Sequence, residues 1–401
     1  MNNLQKISIS LFLSEFTTSA YFIIVTWILY HSTNNAIFTG LFVGLGFLPS
    51  FLSNLYFGVL VDRMEKRHLL IIAQSIISIS LILIALLTYG DFPFLVIGLI
   101  LIHMIIQLCG SLFRPSMQAY LTSIFSQEEL ITVFSKTASI GIVGSIAGTA
   151  LGSLFISLFP AAIVFLILLC PLLLSLFLLR SLPVERIEII TSPNSIVKDI
   201  KNGFHYCFSD KFYIQLLIIM AIGQLIFHTN IGFLAVFTTD ILKENATIYG
   251  ILEILCSLGG VISGWYAKSL IKRIGIHFSN VIIILLMVAL YLMFTAVNIL
   301  IVSIACFMLG LVTTWLRTTF QAIQQSATTK GYHGRVASIR MFFNQGFVIV
   351  VSPIFGYVSD AHSVSLIYII LMIISVVCLL TSILIIKDQR FRNIIRMQQD
   401  T

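Results

Sequence analysis

The chain has 401 residues, of which 58% are hydrophobic and only 10% charged, where a soluble chain carries roughly 25% charged residues. A mean hydropathy of +1.05 therefore excludes an ordinary water-soluble globule. The formal charge of +7 would suit a nucleic-acid partner, but the positions of the basic residues assign it to membrane orientation instead.

Apolar windows of about 20 residues without a charge are long enough to cross a ~30 Å hydrocarbon layer as helices. Backbone groups must be paired in lipid, and these runs are continuous rather than alternating, which excludes a barrel. Twelve spans are predicted, at 8–30, 37–61, 69–89, 93–118, 131–158, 161–180, 212–238, 247–267, 277–296, 299–327, 335–358 and 364–386. Span 1 has a weak basic start at Lys6 and no small-residue cleavage site near "YHSTNN", so it reads as a retained span rather than a signal peptide. Span 2 ends in "GVLVDRMEKR" (58–67), where Asp62, Arg63, Glu65, Lys66 and Arg67 close a run that has met no acid, lysine or arginine since Glu15. After span 6, residues 181–211 hold Pro183, Pro193 and mixed charge. Within them "VKDIKNGFHYCF" (197–208) reads as a basic amphipathic helix on the membrane surface. A calmodulin-like partner site would share that pattern; the position between the halves favours a structural clamp.

The predicted fold is an all-α membrane protein, with twelve transmembrane helices in two pseudo-symmetric six-helix bundles. Its parts are an N-terminal bundle (1–180), a cytosolic linker with an amphipathic helix (181–211), a C-terminal bundle (212–386) and a basic cytosolic tail (387–401). If both termini are cytoplasmic, Lys243 alone of the 23 lysines and arginines falls in an external loop, as the positive-inside bias requires. The six cysteines are scattered without a CxxC pair, so neither a disulfide framework nor a metal site is expected.

The halves repeat. "RPSMQA" (114–119) aligns with "RTTFQA" (317–322), and at the same offset Val133 and Ser135 meet Val336 and Ser338. "GTALG" (148–152) aligns with "SPIFG" (352–356), and Gly58 with Gly264. Polarity follows the repeat. Glu15 lies in span 1; His103, Gln107, Arg114 and Gln118 in span 4; Gln215, Gln224, His228 and Asn230 in span 7; Arg317, Gln321, Gln324 and Gln325 in span 10. Well inside spans 3, 6, 9 and 12, Gln74 is the one such residue when Asp, Glu, His, Lys, Arg, Asn and Gln are counted. Polar side chains in a bilayer face an interior or a wet cavity, so spans 1, 4, 7 and 10 are expected to wall a hydrophilic pocket, and spans 3, 6, 9 and 12 to face lipid. The i, i+4 spacing of His103 with Gln107, Gln224 with His228 and Arg317 with Gln321 puts each pair on one helix face. Gly144, Gly148 and Gly152 in span 5, with Gly260 and Gly264 in span 8, are expected to let helices approach and slide.

"GVLVDRMEKR" resembles the loop 2–3 signature of the major facilitator superfamily, G-x-L-x-D-R-x-G-R-K. "LGFLPSFLSNLYFG", "FRPSMQAYLTSIFSQEELITVFS", "DIKNGFHYCFSDKF" and "GRVASIR" are similar to its drug- and siderophore-exporting branch, which includes macrolide efflux proteins and the enterobactin exporter. The likeness covers almost the whole chain. Three departures stand out: Glu65 in place of glycine, Lys268 where the second-half copy would have its acid, and "GTALG" without the Gly-Pro of the antiporter motif, whereas Pro353 sits at the matching place in span 11. The resemblance implies that Asp62 meets the N-terminal end of span 11 near Gly334 and Arg335. Together with Gly58, Arg63, Arg67 and Arg114 it would form a latch that breaks as the cytosolic side opens. A carboxylate at a helix N-terminus is physically favoured; the alternative is that these charges only enforce topology.

Two acids are candidates to carry a coupling proton, Glu15 and Glu253. The alternatives are a structural pair between Glu15 and an arginine such as Arg340, and a gate ion pair for Glu253. Asp240 and Asp360, at outer helix ends, are expected to be solvated. Candidates for the substrate cavity are Tyr21, Trp27, His103, Gln107, Gln224, His228, Trp315, Arg317, Gln321 and Arg340; for the histidines a hydrogen-bonded role competes with proton relay, and for the aromatics packing competes with ligand stacking.

The leading expectation is a monomeric secondary efflux transporter in a bacterial plasma membrane. It would exchange an amphipathic small molecule, such as a macrolide-like drug, for protons by alternating access, using the proton gradient and no cofactor. A siderophore or metallophore exporter and a lipid flippase are alternatives, and a channel or receptor is the alternative from another class. No GxxxxGK[ST], HExxH or nucleophile elbow suggests an enzyme.

Overall fold

The structure, a computed structural model, describes residues 2–90, 94–125, 127–184, 196–329 and 332–400. Among these, fourteen α-helices and no strand occur. In chain order they are α1 (Asn3–Thr33), α2 (Ala36–Arg63), α3 (Lys66–Tyr89), α4 (Leu95–Ile124), α5 (Gln127–Leu158), α6 (Ala161–Arg180), α7 (Ile196–Phe208), α8 (Lys211–Asp240), α9 (Ala246–Ile274), α10 (Phe278–Thr295), α11 (Ile299–Ala327), α12 (His333–Ala361), α13 (Val364–Ile385) and α14 (Gln389–Asp400). All but α7 and α14 are long and apolar enough to cross a membrane.

The apolar runs mark the crossings, and the helices continue past them until a capping group ends the turn. Asn2 and Gln5 form a reciprocal capping box that starts α1. Asp210 accepts from the Phe212 amide at 3.0 Å to start α8, and Asn298 from Leu300 at 2.9 Å to start α11. Arg67 closes α6 from outside, donating to the carbonyls of Leu179 at 3.4 Å and Arg180 at 2.5 Å, where a cation complements the helix C-terminus.

The chain forms two compact units. Unit 1 comprises 1–34, 45–193 and 245–250. Its tightest seam is α1 on α5. A Cβ added to Gly148 would lie 2.1 Å from the Phe16 carbonyl oxygen, and one on Gly144 2.6 Å from that of Phe12. The glycine series thus gives the close approach expected of it. Gln74 on α3 points inward. Its amide donates to Ser14 at 2.9 Å and Ser175 at 3.0 Å, and Ser10 and Ser175 bond at 2.7 Å. The opposite face of α3 is apolar and open, with Ile79 57% and Leu86 59% exposed, as a lipid-facing helix requires.

Unit 2 comprises 35–44, 194–244 and 251–401. Its α10 and α13 are joined by Ser382, which bonds Ser279 at 2.8 Å and Asn280 at 2.7 Å. The basic tail is the helix α14. Phe391, fully buried, stacks on Phe278 at 6.0 Å, and Ile395 is buried beside it. Arg390 closes the arrangement with a bidentate grip on Asp210 and a 3.0 Å bond to Asp388. This guanidinium holds the Asp210 carboxyl below the usual aspartate range.

Candidate functional site

Unit 1 offers a small polar cluster built on α1 and α4. The His103 ring, 1% exposed, has Nδ1 3.1 Å from the Tyr21 hydroxyl and Nε2 3.5 Å from the Gln107 amide nitrogen. Gly46 of α2 makes this possible, because a Cβ there would lie 2.4 Å from His103 Nε2. Tyr21 is buried, Gln107 half-buried. Glu15 is half-buried on α1, its Cγ 3.6 Å from where a Cβ on Gly141 would stand. Trp27 stacks on His31 at 6.0 Å and on Tyr249 at 5.9 Å.

Unit 2 carries the charge. Arg340, in the second turn of α12, is 9% exposed and donates from Nη1 to Gln324 Oε1 of α11 at 3.0 Å. Among the described residues no carboxylate lies at ion-pair distance from it. Arg317, also on α11, lies over the Phe227 ring of α8, its guanidinium carbon 4.2 Å from the centroid, a cation–π geometry. Gln224 and His228, half-buried on α8, bond to each other. Gln321 and Gln325 are exposed while Gln324 turns inward to Arg340, so the polar residues of α11 divide between two faces.

Glu253, on α9, is 7% exposed, and among the described residues its Oε1 has no hydrogen-bond partner. Around it Asn230 donates to the Cys256 sulfur at 3.8 Å and accepts from the Tyr368 hydroxyl at 3.4 Å. The Tyr368 contribution was not visible in the sequence, since span 12 shows no Asp, Glu, Asn or Gln to draw attention to it. Trp315 donates its indole N–H to the Ser263 carbonyl at 2.6 Å and is 8% exposed; it ties α11 to α9.

The residues of the expected latch are only partly described. The side chains of Asp62 and Arg63, and the surroundings of Gly58 and Gly334, lie outside what is described. Arg67 caps α6, Arg114 is exposed, and Arg335 sits 5.0 Å over the Tyr332 ring. Asp360 is exposed, in keeping with the expectation of a solvated acid, and it also caps a helix start. Its Oδ1 accepts from the Ala36 amide at 2.6 Å and its Oδ2 from the Ile37 amide at 2.9 Å, because the start of α2 packs beside the end of α12. No group of histidines, cysteines and acids able to hold a metal occurs among the described residues.

The chain matches the family model described as Major Facilitator Superfamily over residues 7–351. It is 24% identical over 350 residues to the Staphyloferrin A transporter of Staphylococcus aureus (strain NCTC 8325 / PS 47), the match covering 85% of each chain. Similar solved structures include the nucleoside transporter NupG, at 13% identity and a TM-score of 0.78 over 97% of this chain and 100% of that one. A bacterial homologue of the iron transporter ferroportin in an inward-facing state gives 16% identity and a TM-score of 0.78 over 96% of this chain and 99% of that one. At such identities these structures establish the fold alone.

Proposed function

The chain belongs to the Major Facilitator Superfamily, and from that premise we propose that it exports an anionic, metal-chelating small molecule of the siderophore class in exchange for protons. It is a multi-pass membrane transporter and not an enzyme. The observation that carries the substrate class is Arg340, a buried guanidinium with an amide for a partner and no carboxylate among the described residues. A charge in such a place is costly and usually functional, and a guanidinium's planar fork suits carboxylates in two-point contact. Arg317 adds a second cation on the neighbouring helix. Both disfavour an exclusively cationic drug. The relationship to a siderophore transporter supports the same class.

Glu253 is the better of the two acids for the coupling proton. Its carboxyl is buried and has no ion pair among the described residues, so it can exchange a proton within the cycle without breaking one of the described contacts. Glu15 takes second place because it is less enclosed. The concentration of basic residues at one end of the helices supports cytoplasmic termini; export is the direction taken from the resemblance to exporters.

Everted vesicles with an acidic interior test this reading. Uptake of a labelled carboxylate siderophore should rise several-fold on imposing the gradient, and Glu253→Gln should remove that rise. Uptake indifferent to the gradient would end the proton-coupled reading. Accumulation of lipophilic cations with exclusion of the siderophore would return the protein to drug efflux, which the aromatic stack at Trp27 would then serve.

A further inference from the structure

We propose that Asp360 is a positioning residue of the transport cycle: its carboxylate pins the first turn of α2 to the end of α12, and this pin must release on every turnover. The inference rests on the transport reading above, though not on the identity of the substrate.

The helix α2 serves two bodies. Its residues up to Gly44 pack in unit 2, and from Leu45 onward it packs in unit 1. The joint falls between Gly44 and Gly46, one turn ahead of Pro49, where a helix bends most readily. Any rearrangement that draws the end of α12 away from the body of α2 must either detach the first turns of α2 or bend the helix at that joint.

Asp360 holds those turns by charge. The amides of Ala36 and Ile37 belong to the set that has no partner within the helix, and they donate to the two carboxylate oxygens at 2.6 and 2.9 Å. Such bonds are stronger than neutral ones, and the helix dipole adds to them. Behind the carboxylate the seam is bare backbone: a Cβ on Gly356 would lie 2.6 Å from the Ala36 carbonyl oxygen, and one on Gly40 2.3 Å from that of Ser352.

The same seam carries the means of its own release. Thr39 and Ser352 are fully buried, and among the described residues their hydroxyls have no hydrogen-bond partner. A docked seam that leaves hydroxyls unsatisfied is penalised, and opening it to water removes the penalty. Asn35 Oδ1 already accepts from the Ile37 amide at 2.9 Å, so the freed turn keeps a local cap. The start of α9 packs in unit 1, where Tyr249 stacks on Trp27. Its cap is its own Asn245, 3.0 Å from the Thr247 amide.

The test is thiol accessibility at position 39. In a Thr39→Cys protein whose exposed Cys170 is replaced by serine, a membrane-impermeant maleimide is applied to intact cells and to everted vesicles, so that sidedness is measured rather than assumed. Asp360→Ala should speed labelling of the introduced thiol about tenfold from one side only. Asp360→Asn, which keeps one acceptor oxygen, should speed it about threefold, and it serves where Asp360→Ala fails to insert. Asp360→Glu should stay within twofold of the parent. Labelling that is unchanged in the inserted Ala and Asn variants overturns the proposal. Labelling needs neither substrate nor gradient, so its failure is distinct from failure of the vesicle assays.

Discussion

Unit 1 buries its polar side chains in company, whereas unit 2 buries several alone. Ser10, Ser14, Gln74 and Ser175 satisfy one another across α1, α3 and α6, and Tyr21 holds His103. The exceptions in unit 1 are neutral hydroxyls such as that of Ser116. In unit 2, Glu253 Oε1, Gln324 Nε2 and Asn344 Oδ1 are buried without hydrogen-bond partners among the described residues. Arg340 is met by one amide. A closed polar network specifies packing, while an open one is expensive and so implies something that completes it. On the proposed reading, the groups that a substrate or proton would satisfy lie in unit 2.

That asymmetry can be broken by substitution. The largest effect is expected from Glu253→Gln, which should lower gradient-driven transport at least tenfold, with Glu15→Gln costing less than threefold; flux in everted vesicles decides, and the reverse order would move coupling into unit 1. Arg340→Leu should weaken binding of a carboxylate substrate about 10- to 100-fold, the equivalent of one charged hydrogen bond of about 1.5–3 kcal/mol. Arg340→Lys should recover part of it, and equilibrium binding in detergent measures both. Gln74→Leu should leave transport parameters near their starting values and cost about 1–2 kcal/mol of stability, seen as a lower midpoint in thermal unfolding. If it instead alters substrate affinity, the closed network of unit 1 is part of the site.

The smallest effect concerns the Asp210–Arg390 clasp. The native carboxyl of Asp210 is depressed, so its contribution is present above the unfolded aspartate value of about 3.9. It is lost as pH falls through the lower native value. Both partners are partly solvated, with side chains 33% and 46% exposed, so the contribution should stay below about 1 kcal/mol. Asp210→Asn should shift the unfolding midpoint by a few degrees at most at neutral pH and by less as the pH falls through the native value, and high salt should blunt the difference.

The membrane crossings were legible because a crossing needs an uninterrupted apolar run. The spans predicted at 161–180 and 299–327 coincide with α6 and α11. Helix ends were less legible, since they depend on single capping groups such as Asp210 and Asn298. The fold of α14 was hidden because two buried side chains, Phe391 and Ile395, sit among polar neighbours. For the site, periodicity grouped Arg317, Gln321, Gln324 and Gln325, but it could not say that Gln324 alone turns toward Arg340. Asp360 shows the limit most clearly. Its position at a helix end was readable, but the helix start beside it comes from another part of the chain, and no local pattern reveals that neighbour.

The glycine seam of α5 has a mechanical consequence. With backbone against backbone from Phe12 to Ala20, α1 and α5 are packed closely enough to shift as one beam, and Glu15 and Tyr21 ride on it. A methyl group introduced at Gly148 would wedge the beam apart and misplace both side chains together, although it touches neither.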